Sequence, residues 1–272
     1  GPFCDNDPVY TLTGTPAGGV WAGSANSLGE VDPMALGGGS HPVAYTYTDG
    51  NGCSGIGQLT VAIFYAPTAS ITPIGPFCED APVQTLTGTP TGGAWGGAAN
   101  ASGQIDPTSL GAGTHTVTYT VTDGNNCSDT DQISVVIHGL PNVSITPTGP
   151  FCVDDGIQTL SATPVGGTWG GAANASGQID PATLGAGTYT VSYSYTDSNN
   201  CSNTDQISVT VNALPTVSIT PAGPFCEDDP VFTLSASPAG GTWGGAANSA
   251  GQIDPYALGA GSHNVTYSYT DT

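Results

Sequence analysis

The stretch HTVTYTVTDGNNCSDTDQISVVI, residues 115–137, alternates larger side chains with small polar ones on both sides of a polar segment. Alternation with a period of two residues is typical of a β-strand buried on one face only. The intervening residues 123–126, Asp-Gly-Asn-Asn, have the composition of a turn. The stretch therefore predicts a β-hairpin with strands over 115–123 and 132–137.

The hairpin belongs to a unit that recurs every 74 residues. The motif GPFC begins at Gly1, Gly75, Gly149 and Gly223, and a Trp and an Asp-Pro pair recur at the same interval. The 272 residues amount to three periods and 50 further residues. This arithmetic indicates a window from a longer repeat array.

Each unit is predicted to be all β. Residues 83–90 and 94–96 form shorter predicted strands, and residues 143–145 open the next unit. Gly and Pro occur too often for helices, and no apolar period of 3.6 residues is present. Short strands with frequent turns in a unit of this size predict a β-sandwich.

Short links that contain Pro separate the units at 65–67, 139–141 and 213–215. They predict four domains, 1–66, 67–140, 141–214 and 215–272, of which the first lacks its opening strand and the last its closing strand. Links of two or three residues ending in Pro allow little swing, so the units are predicted to form an extended rod.

Composition excludes several classes of function. The chain has no Lys or Arg and 21 acidic residues, for a net charge of −21. Nucleic-acid binding is excluded because phosphate neutralisation needs Lys or Arg. No apolar run reaches the roughly 18 residues that a membrane span needs, so none is predicted.

Seven cysteines occupy two fixed positions per repeat, with no CxxC motif and no Cys/His cluster. This pattern predicts disulfides rather than zinc ligands, and hence an oxidising, extracellular location. A bridge closing a loop of about 50 residues would stabilise the thin core of a unit by about 4 kcal/mol. The predicted disulfide cysteines are Cys4, Cys53, Cys78, Cys127, Cys152, Cys201 and Cys226.

The motifs TLTGTPTGGAWGG (85–97), IDPTSLGAGTHTVTYTVTDGNNC (105–127) and LPNVSITP (140–147) resemble the tandem immunoglobulin-like repeats of large secreted proteins in Bacteroidota. The resemblance covers nearly the whole of each unit. The resemblance implies that the protein is a surface adhesin or a gliding-associated filament. Such proteins are exported by type IX secretion and are usually without catalysis. The predicted fold is therefore all-β, with tandem Ig-like β-sandwich repeats of 74 residues arranged as an extended rod.

The pairing of the cysteines stays open. The first cysteine of each unit lies in a Gly-Pro turn, which departs from the mid-strand cysteine of true immunoglobulin domains. A bridge within one unit, from this turn to the hairpin loop, as in Cys78–Cys127, is the favoured interpretation. A bridge between units, as in Cys4–Cys127, is the alternative.

No residue is predicted to be catalytic. One strand position carries a histidine in repeats 1, 2 and 4, namely His41, His115 and His263. The third repeat has Tyr189 at this position. A position that accepts either ring needs no imidazole chemistry. The acidic residues after the first cysteine change between copies and have no nucleophile or oriented histidine beside them.

Four oxygen-bearing residues alternate around the hairpin turn of repeat 2: Asp123, Asn125, Asp129 and Asp131. Such oxygen ligands suit a hard cation, so calcium is one interpretation. Repeat 1 has Gly55 and Gly57 in place of the last two, which favours ordinary acidic loops. No other cofactor is predicted.

Each repeat contains one Trp within Gly-Gly-x-Trp-x-Gly. The indole is interpreted as part of the core, and the alternative is an exposed platform that stacks on a sugar. The glycosylation motif Asn-x-Ser/Thr occurs at Asn100, Asn142, Asn174 and Asn264.

These features predict a structural filament or stalk protein at the cell surface. The alternatives are the spacer region of an adhesin and a carbohydrate-binding repeat array with a glycan ligand. The predicted partner is the protein itself, end to end or laterally. One subunit could lend a strand to complete the sandwich of the next.

Overall fold

The computed structural model describes residues 3–271, in which each repeat consists of short β-strands and a single-turn helix. Repeat 1 contains β1 (Phe3–Cys4), β2 (Tyr10–Thr11), β3 (Val20–Gly23), β4 (Glu30–Val31), α1 (Pro33–Leu36), β5 (Gly39–Thr48) and β6 (Ser54–Phe64). Repeat 2 contains β7 (Ser70–Ile71), β8 (Phe77–Cys78), β9 (Gln84–Thr85), β10 (Gly88–Thr89), β11 (Ala94–Gly97), β12 (Gln104–Ile105), α2 (Pro107–Leu110), β13 (Gly113–Thr122) and β14 (Ser128–His138).

The later repeats follow the same order. Repeat 3 contains β15 (Ser144–Ile145), β16 (Phe151–Cys152), β17 (Gln158–Thr159), β18 (Ala162–Thr163), β19 (Thr168–Gly171), β20 (Gln178–Ile179), α3 (Pro181–Leu184), β21 (Gly187–Thr196) and β22 (Ser202–Asn212). Repeat 4 contains β23 (Ser218–Ile219), β24 (Phe232–Thr233), β25 (Ala236–Ser237), β26 (Thr242–Gly245), β27 (Gln252–Ile253), α4 (Pro255–Leu258) and β28 (Val265–Ser268).

The hairpin predicted at residues 115–137 is present as β13 and β14, at the centre of a four-stranded sheet. The two strands pair antiparallel, from Gly113 opposite Ile137 to Thr122 opposite Ser128. β11 pairs with the other edge of β13, and β8 runs parallel to the end of β14. Repeats 1 and 3 contain the same sheet, in the orders β1-β6-β5-β3 and β16-β22-β21-β19.

Residues 83–90, predicted as one strand, form two. β9 pairs with β12, whereas β10 pairs with β7. The chain changes partner between them, where the Leu86 N–H donates to the Gly103 carbonyl and the Thr87 carbonyl accepts from the Thr72 N–H. A single strand was predicted because the composition is uniform along residues 83–90. The strand pairing, in contrast, depends on segments that are distant in the sequence.

The core of repeat 2 lies between its hairpin and its two-stranded ribbons. Val117 and Val135 of the hairpin and Ile71 and Ile105 of the ribbons are at most 3% exposed. Burial of one such side chain contributes roughly 1.5–3 kcal/mol. Repeat 3 has an equivalent buried cluster. The prediction of all-β sandwich units repeated every 74 residues is therefore confirmed.

The four single-turn helices within residues 3–271 were not predicted. In repeat 2, the Asp106 Oδ1 accepts the Thr108 N–H at 3.1 Å, and Pro107 occupies the first helical position, where an N–H is not needed. Gly111, with φ of 73°, follows the last residue of α2. Asp106 caps a turn, and the turn closes into α2.

Contacts divide the chain into two compact units, residues 1–141 with 196–202, and residues 142–195 with 203–272. The tip of the β21–β22 hairpin of repeat 3 thus belongs to the first unit. The division into four domains at residues 66, 140 and 214 stays a prediction, and so does the extended rod.

Candidate functional site: cysteine bridges between consecutive repeats

Two disulfides link cysteines of consecutive repeats, and both lie in the first compact unit. Cys4 is bonded to Cys127, and Cys78 is bonded to Cys201. In each pair the Cα atoms are 5.5 Å apart and the residues are separated by 123 positions. The first cysteine of one repeat is thus joined to the hairpin cysteine of the next.

The favoured pairing within one repeat, Cys78–Cys127, is wrong, and the alternative Cys4–Cys127 is confirmed. The cause is visible in repeat 1, where Cys4 lies beside Phe64, the last residue of β6. Cys53 precedes this 11-residue strand and is therefore about 36 Å away along it. Bridged Cα atoms lie roughly 4.4–6.8 Å apart, so the two ends of one hairpin cannot be joined.

The hairpin tip that carries the second cysteine is held by one aspartate. The Asp197 Oδ1 accepts the N–H groups of Asn199 and Cys201 at 2.8 and 2.9 Å. Asn200 adopts the left-handed conformation, with φ of 64°. These bonds fix Cys201, which is 0% exposed, in the position that meets Cys78.

The hydrogen bond from the backbone N–H of Cys201 lowers the pKa of Asp197 most, burial opposes it, and the bonds from Asn199 lower the pKa further. In repeat 1, the backbone N–H groups of Cys53 and Asn51 lower the pKa of Asp49 in the same way. Each turn therefore stabilises the ionised form of its aspartate.

Two further contacts surround the Cys4–Cys127 bridge. The Asn6 side-chain amide donates to the Ser128 carbonyl at 2.8 Å. The Asp5 Oδ1 accepts the N–H of Ala66, a residue of the link between repeats 1 and 2, at 2.8 Å. The bridge is therefore part of a junction that also holds the link.

Three cysteines predicted to form disulfides are free thiols in the structure: Cys53, Cys152 and Cys226. The two observed bridges each join residues 123 positions apart. Burial, and then the charges of Asp155, Asp154 and Asp271, raise the pKa of the Cys152 thiol.

The four residues considered as calcium ligands lie in two places. Asp123 and Asn125 belong to the hairpin turn, where the Asp123 Oδ1 accepts the Asn125 N–H at 2.8 Å. The Asp129 Oδ2 accepts the N–H of Ala69 at 2.8 Å, and the Asp131 Oδ2 accepts that of Ile71 at 2.7 Å. These two carboxylates therefore hold the opening strand β7 against β14.

In repeat 3, Asp205 accepts the Ile145 N–H at 2.8 Å in the same manner. Within residues 3–271, no three His, Cys, Asp or Glu side chains are grouped so that they would hold a metal ion. Calcium at Asp123, Asn125, Asp129 and Asp131 stays a prediction.

The histidine position is explained by the helix beside it. The His115 Nε2 lies 2.9 Å from the Gly111 carbonyl oxygen, just after α2. In repeat 3 the Tyr189 hydroxyl lies 3.2 Å from the Gly185 carbonyl oxygen. Either ring reaches the same carbonyl, which supports a structural role. His41 and His263 make the corresponding contact.

The indoles are half-buried at the edge of the core. The Trp95 ring lies 4.4 Å from that of Tyr119, measured between centroids, and packs against the core cluster of repeat 2. A Cβ added to Gly103 would stand 2.5 Å from the Trp95 Nε1, so glycine is needed over the indole. This packing supports the core interpretation over the sugar platform.

The four candidate glycosylation residues, Asn100, Asn142, Asn174 and Asn264, are exposed. Asn100 also builds a turn, because its Oδ1 accepts the N–H groups of Ser102 and Gln104. Glycosylation stays a prediction.

No helix among the described residues is long and apolar enough to cross a membrane. The two disulfides are typical of proteins outside the reducing cytosol and support the predicted extracellular location.

No family model matches the sequence, and no curated protein matches it significantly. Among solved structures, the chain is similar to a Ca²⁺-stabilised adhesin that helps an Antarctic bacterium bind ice, with 13% identity and a TM-score of 0.31 over 96% of this chain and 91% of that one. Mouse protocadherin-24 EC1-3 gives 10% identity and a TM-score of 0.26, over 78% of this chain and 96% of that one. The immunoglobulin domains 1–5 of Sidekick-1 give 12% identity and a TM-score of 0.26, over 86% of this chain and 64% of that one. Values this low carry no information on ligand, activity or partner.

Proposed function

We propose that this chain is a structural extracellular protein, a segment of a cell-surface filament or stalk, in which disulfides carry tension from one repeat to the next. The observation that carries the proposal is the interleaving of the bridges. Cys78 lies between Cys4 and Cys127 in the sequence, so the loops closed by the two disulfides overlap.

Overlapping loops shorten the path that a stretching force follows. From Cys4 the force crosses to Cys127, follows the chain back to Cys78, and crosses to Cys201. Only residues 78–127 are then pulled taut, which limits the extension to about 170 Å. Without the bridges, the chain from residue 4 to residue 201 would extend to about 690 Å.

The surface chemistry supports the same role. With a net charge of −21, the chain has no Lys or Arg side chain with which to hold anionic partners. The resemblance to secreted Bacteroidota repeats supports a surface location and type IX export. The half-buried indoles favour this structural role over a carbohydrate-binding array.

Single-molecule stretching of the chain, held at its two ends, tests the proposal. In oxidising buffer we expect the force–extension trace to lack about 520 Å of contour length, which appears after a reductant is added. A variant with Cys53→Ser and Cys226→Ser is the control, because both thiols are free, and it should behave as the parent does. Equal contour lengths with and without reductant would refute the proposal that the disulfides carry tension.

A further inference from the structure

The Asp-Pro pair that recurs in every repeat places a carboxylate beside its own peptide bond. The pairs are Asp32-Pro33, Asp106-Pro107, Asp180-Pro181 and Asp254-Pro255. In each pair the aspartate carbonyl oxygen accepts a backbone N–H from four residues later, as Asp32 does from Leu36 at 3.0 Å. Such a donor polarises the C=O group and stabilises the negative charge that develops on the oxygen when the carbon is attacked. The carbonyl carbon of each pair is therefore more susceptible to a nucleophile.

The second carboxylate oxygen of these aspartates has different partners in different repeats. In repeat 2 the Asp106 Oδ2 accepts the Ser109 hydroxyl at 2.6 Å, and in repeat 3 the Asp180 Oδ2 accepts the Thr183 hydroxyl at 2.7 Å. These two bonds contribute most to the lowered pKa of Asp106 and of Asp180. Repeats 1 and 4 have alanine in place of the hydroxyl residue, namely Ala35 and Ala257.

Asp32 and Asp254 are held through one carboxylate oxygen only. The Asp32 Oδ1 accepts the N–H groups of Met34 and Ala35 at 3.1 and 3.3 Å, and Asp254 makes the corresponding bonds. No described residue donates a hydrogen bond to the Oδ2 of either aspartate. This oxygen can turn toward the carbonyl carbon of its own residue, whereas the Asp106 carboxylate is fixed at both oxygens.

We propose that two peptide bonds, Asp32–Pro33 and Asp254–Pro255, cleave themselves in mild acid. In repeats 2 and 3 the hydroxyl groups of Ser109 and Thr183 suppress the same reaction. These two residues are positioning residues, because they act on the carboxylate and touch no bond that forms or breaks. The inference does not rest on the proposed structural function.

The reaction is an intramolecular acyl transfer followed by hydrolysis. An oxygen of the Asp32 carboxylate attacks the carbonyl carbon of Asp32, and a C–O bond forms while the C–N bond to Pro33 breaks. The proline nitrogen takes a proton from solvent and leaves as a secondary amine. The product on the other side is a cyclic anhydride of Asp32, which adds one water molecule and opens to two carboxyl groups. The net change is hydrolysis of one peptide bond, without oxidation or reduction.

Two further Asp-Pro bonds, Asp7-Pro8 and Asp229-Pro230, serve as internal controls. In each of them the aspartate Oδ2 accepts a cysteine N–H at 2.7 Å. Among the described residues, no backbone N–H donates to either aspartate carbonyl oxygen. Without a donor on the carbonyl, these bonds should break more slowly than the bond after Asp32.

The test uses the intact protein at the lowest pH at which tryptophan fluorescence still reports the folded state. Samples are reduced before mass spectrometry, because Asp32 lies between Cys4 and Cys127 and the disulfide keeps the two products of this cut joined. We expect the bonds after Asp32 and Asp254 to break at least about tenfold faster than the bonds in repeats 2 and 3, which is the effect of one hydrogen bond to a charged group.

Matched variants separate the hydroxyl from other causes. Ala35→Ser should slow the cut after Asp32, and Ser109→Ala should permit a cut after Asp106. Thr183→Ser keeps a hydroxyl and should keep the protection of repeat 3. Asp32→Ser retains an oxygen that caps α1 but has no carboxyl group, so it should abolish the first cut. Tryptophan fluorescence confirms that each variant is folded at the pH of the experiment.

Unfolded protein supplies the last control. In guanidinium chloride at the same pH the hydrogen bonds are lost, and the bonds of the four repeats should break at similar rates. Equal rates in the folded protein would overturn the proposal. A cut after position 32 in the Asp32→Ser variant would also overturn it, and so would a Ser109→Ala variant that cleaves like the parent. The same order of rates in guanidinium chloride would assign the difference to local sequence and would contradict the role of the hydroxyl groups.

Discussion

At the residue scale, one tyrosine per repeat closes the loop between the short strands. The Tyr119 O–H donates to the Pro90 carbonyl at 2.6 Å and accepts the Gly93 N–H at 2.8 Å. Tyr45, Tyr193 and Tyr267 make the same pair of bonds. This role of the tyrosine was not predicted, although a tyrosine that recurs in every repeat was its signal.

The contact between Gly103 and Trp95 gives a prediction about stability. Gly103→Ala should cost about 1–2 kcal/mol for its φ of 73°, and a further 1–3 kcal/mol because the new Cβ meets the indole. Gly92→Ala is the matched control, since Gly92 has a φ of 93° and no heavy atom within 4 Å of an added Cβ. Urea unfolding followed by tryptophan fluorescence measures both. Equal losses would show that the indole does not depend on this glycine.

The hairpin aspartates give a prediction about pH. Because the folded pKa of Asp197 is lowered below 3.8, its turn contributes stability above that value and loses it as the pH falls through the folded pKa. Asp197→Asn keeps an oxygen acceptor without a titrating group. We expect the melting temperature of the variant to fall less than that of the parent between neutral pH and pH values below 3.8. Thermal melts at a series of pH values measure this difference. Parallel pH profiles would contradict this role of Asp197.

At the element scale, the alternating pattern of residues 115–137 predicted the hairpin correctly, because one buried face imposes a period of two. The division of residues 83–90 into two strands could not be predicted, and neither could the hydrogen bond by which Asp129 holds the chain at β7. Both depend on contacts between segments far apart in the chain. The same limit explains the wrong pairing of Cys78 with Cys127: composition indicated a bridge, but the length of β14 decides which cysteine is in reach.

The hydrogen bond that holds the opening strand β7 can be tested by replacing Asp131. Asp131→Ala leaves the Ile71 N–H without an acceptor, which costs about 1–3 kcal/mol for a buried donor. We expect faster hydrogen exchange at Ile71 than in the parent protein. Asp131→Asn is the control, because its amide oxygen can still accept the bond and should preserve most of the protection. If both variants exchanged like the parent, β7 would not depend on this carboxylate.

At the scale of the whole molecule, one spacing rule describes both disulfides. In each bridge the first cysteine of a repeat bonds the hairpin cysteine 123 positions later. The proposed load path uses this rule through the two bonded pairs.

The most direct test of this rule is disulfide mapping of the unreduced protein. Trypsin has no site in a chain without Lys and Arg, so cleavage before aspartate is the suitable digestion. We expect residues 1–4 to be linked to residues 123–128, and residues 49–79 to residues 197–204. Bridges within repeats would instead link residues 1–4 to residues 49–79, and residues 49–79 to residues 123–128. Finding those two links would contradict the account.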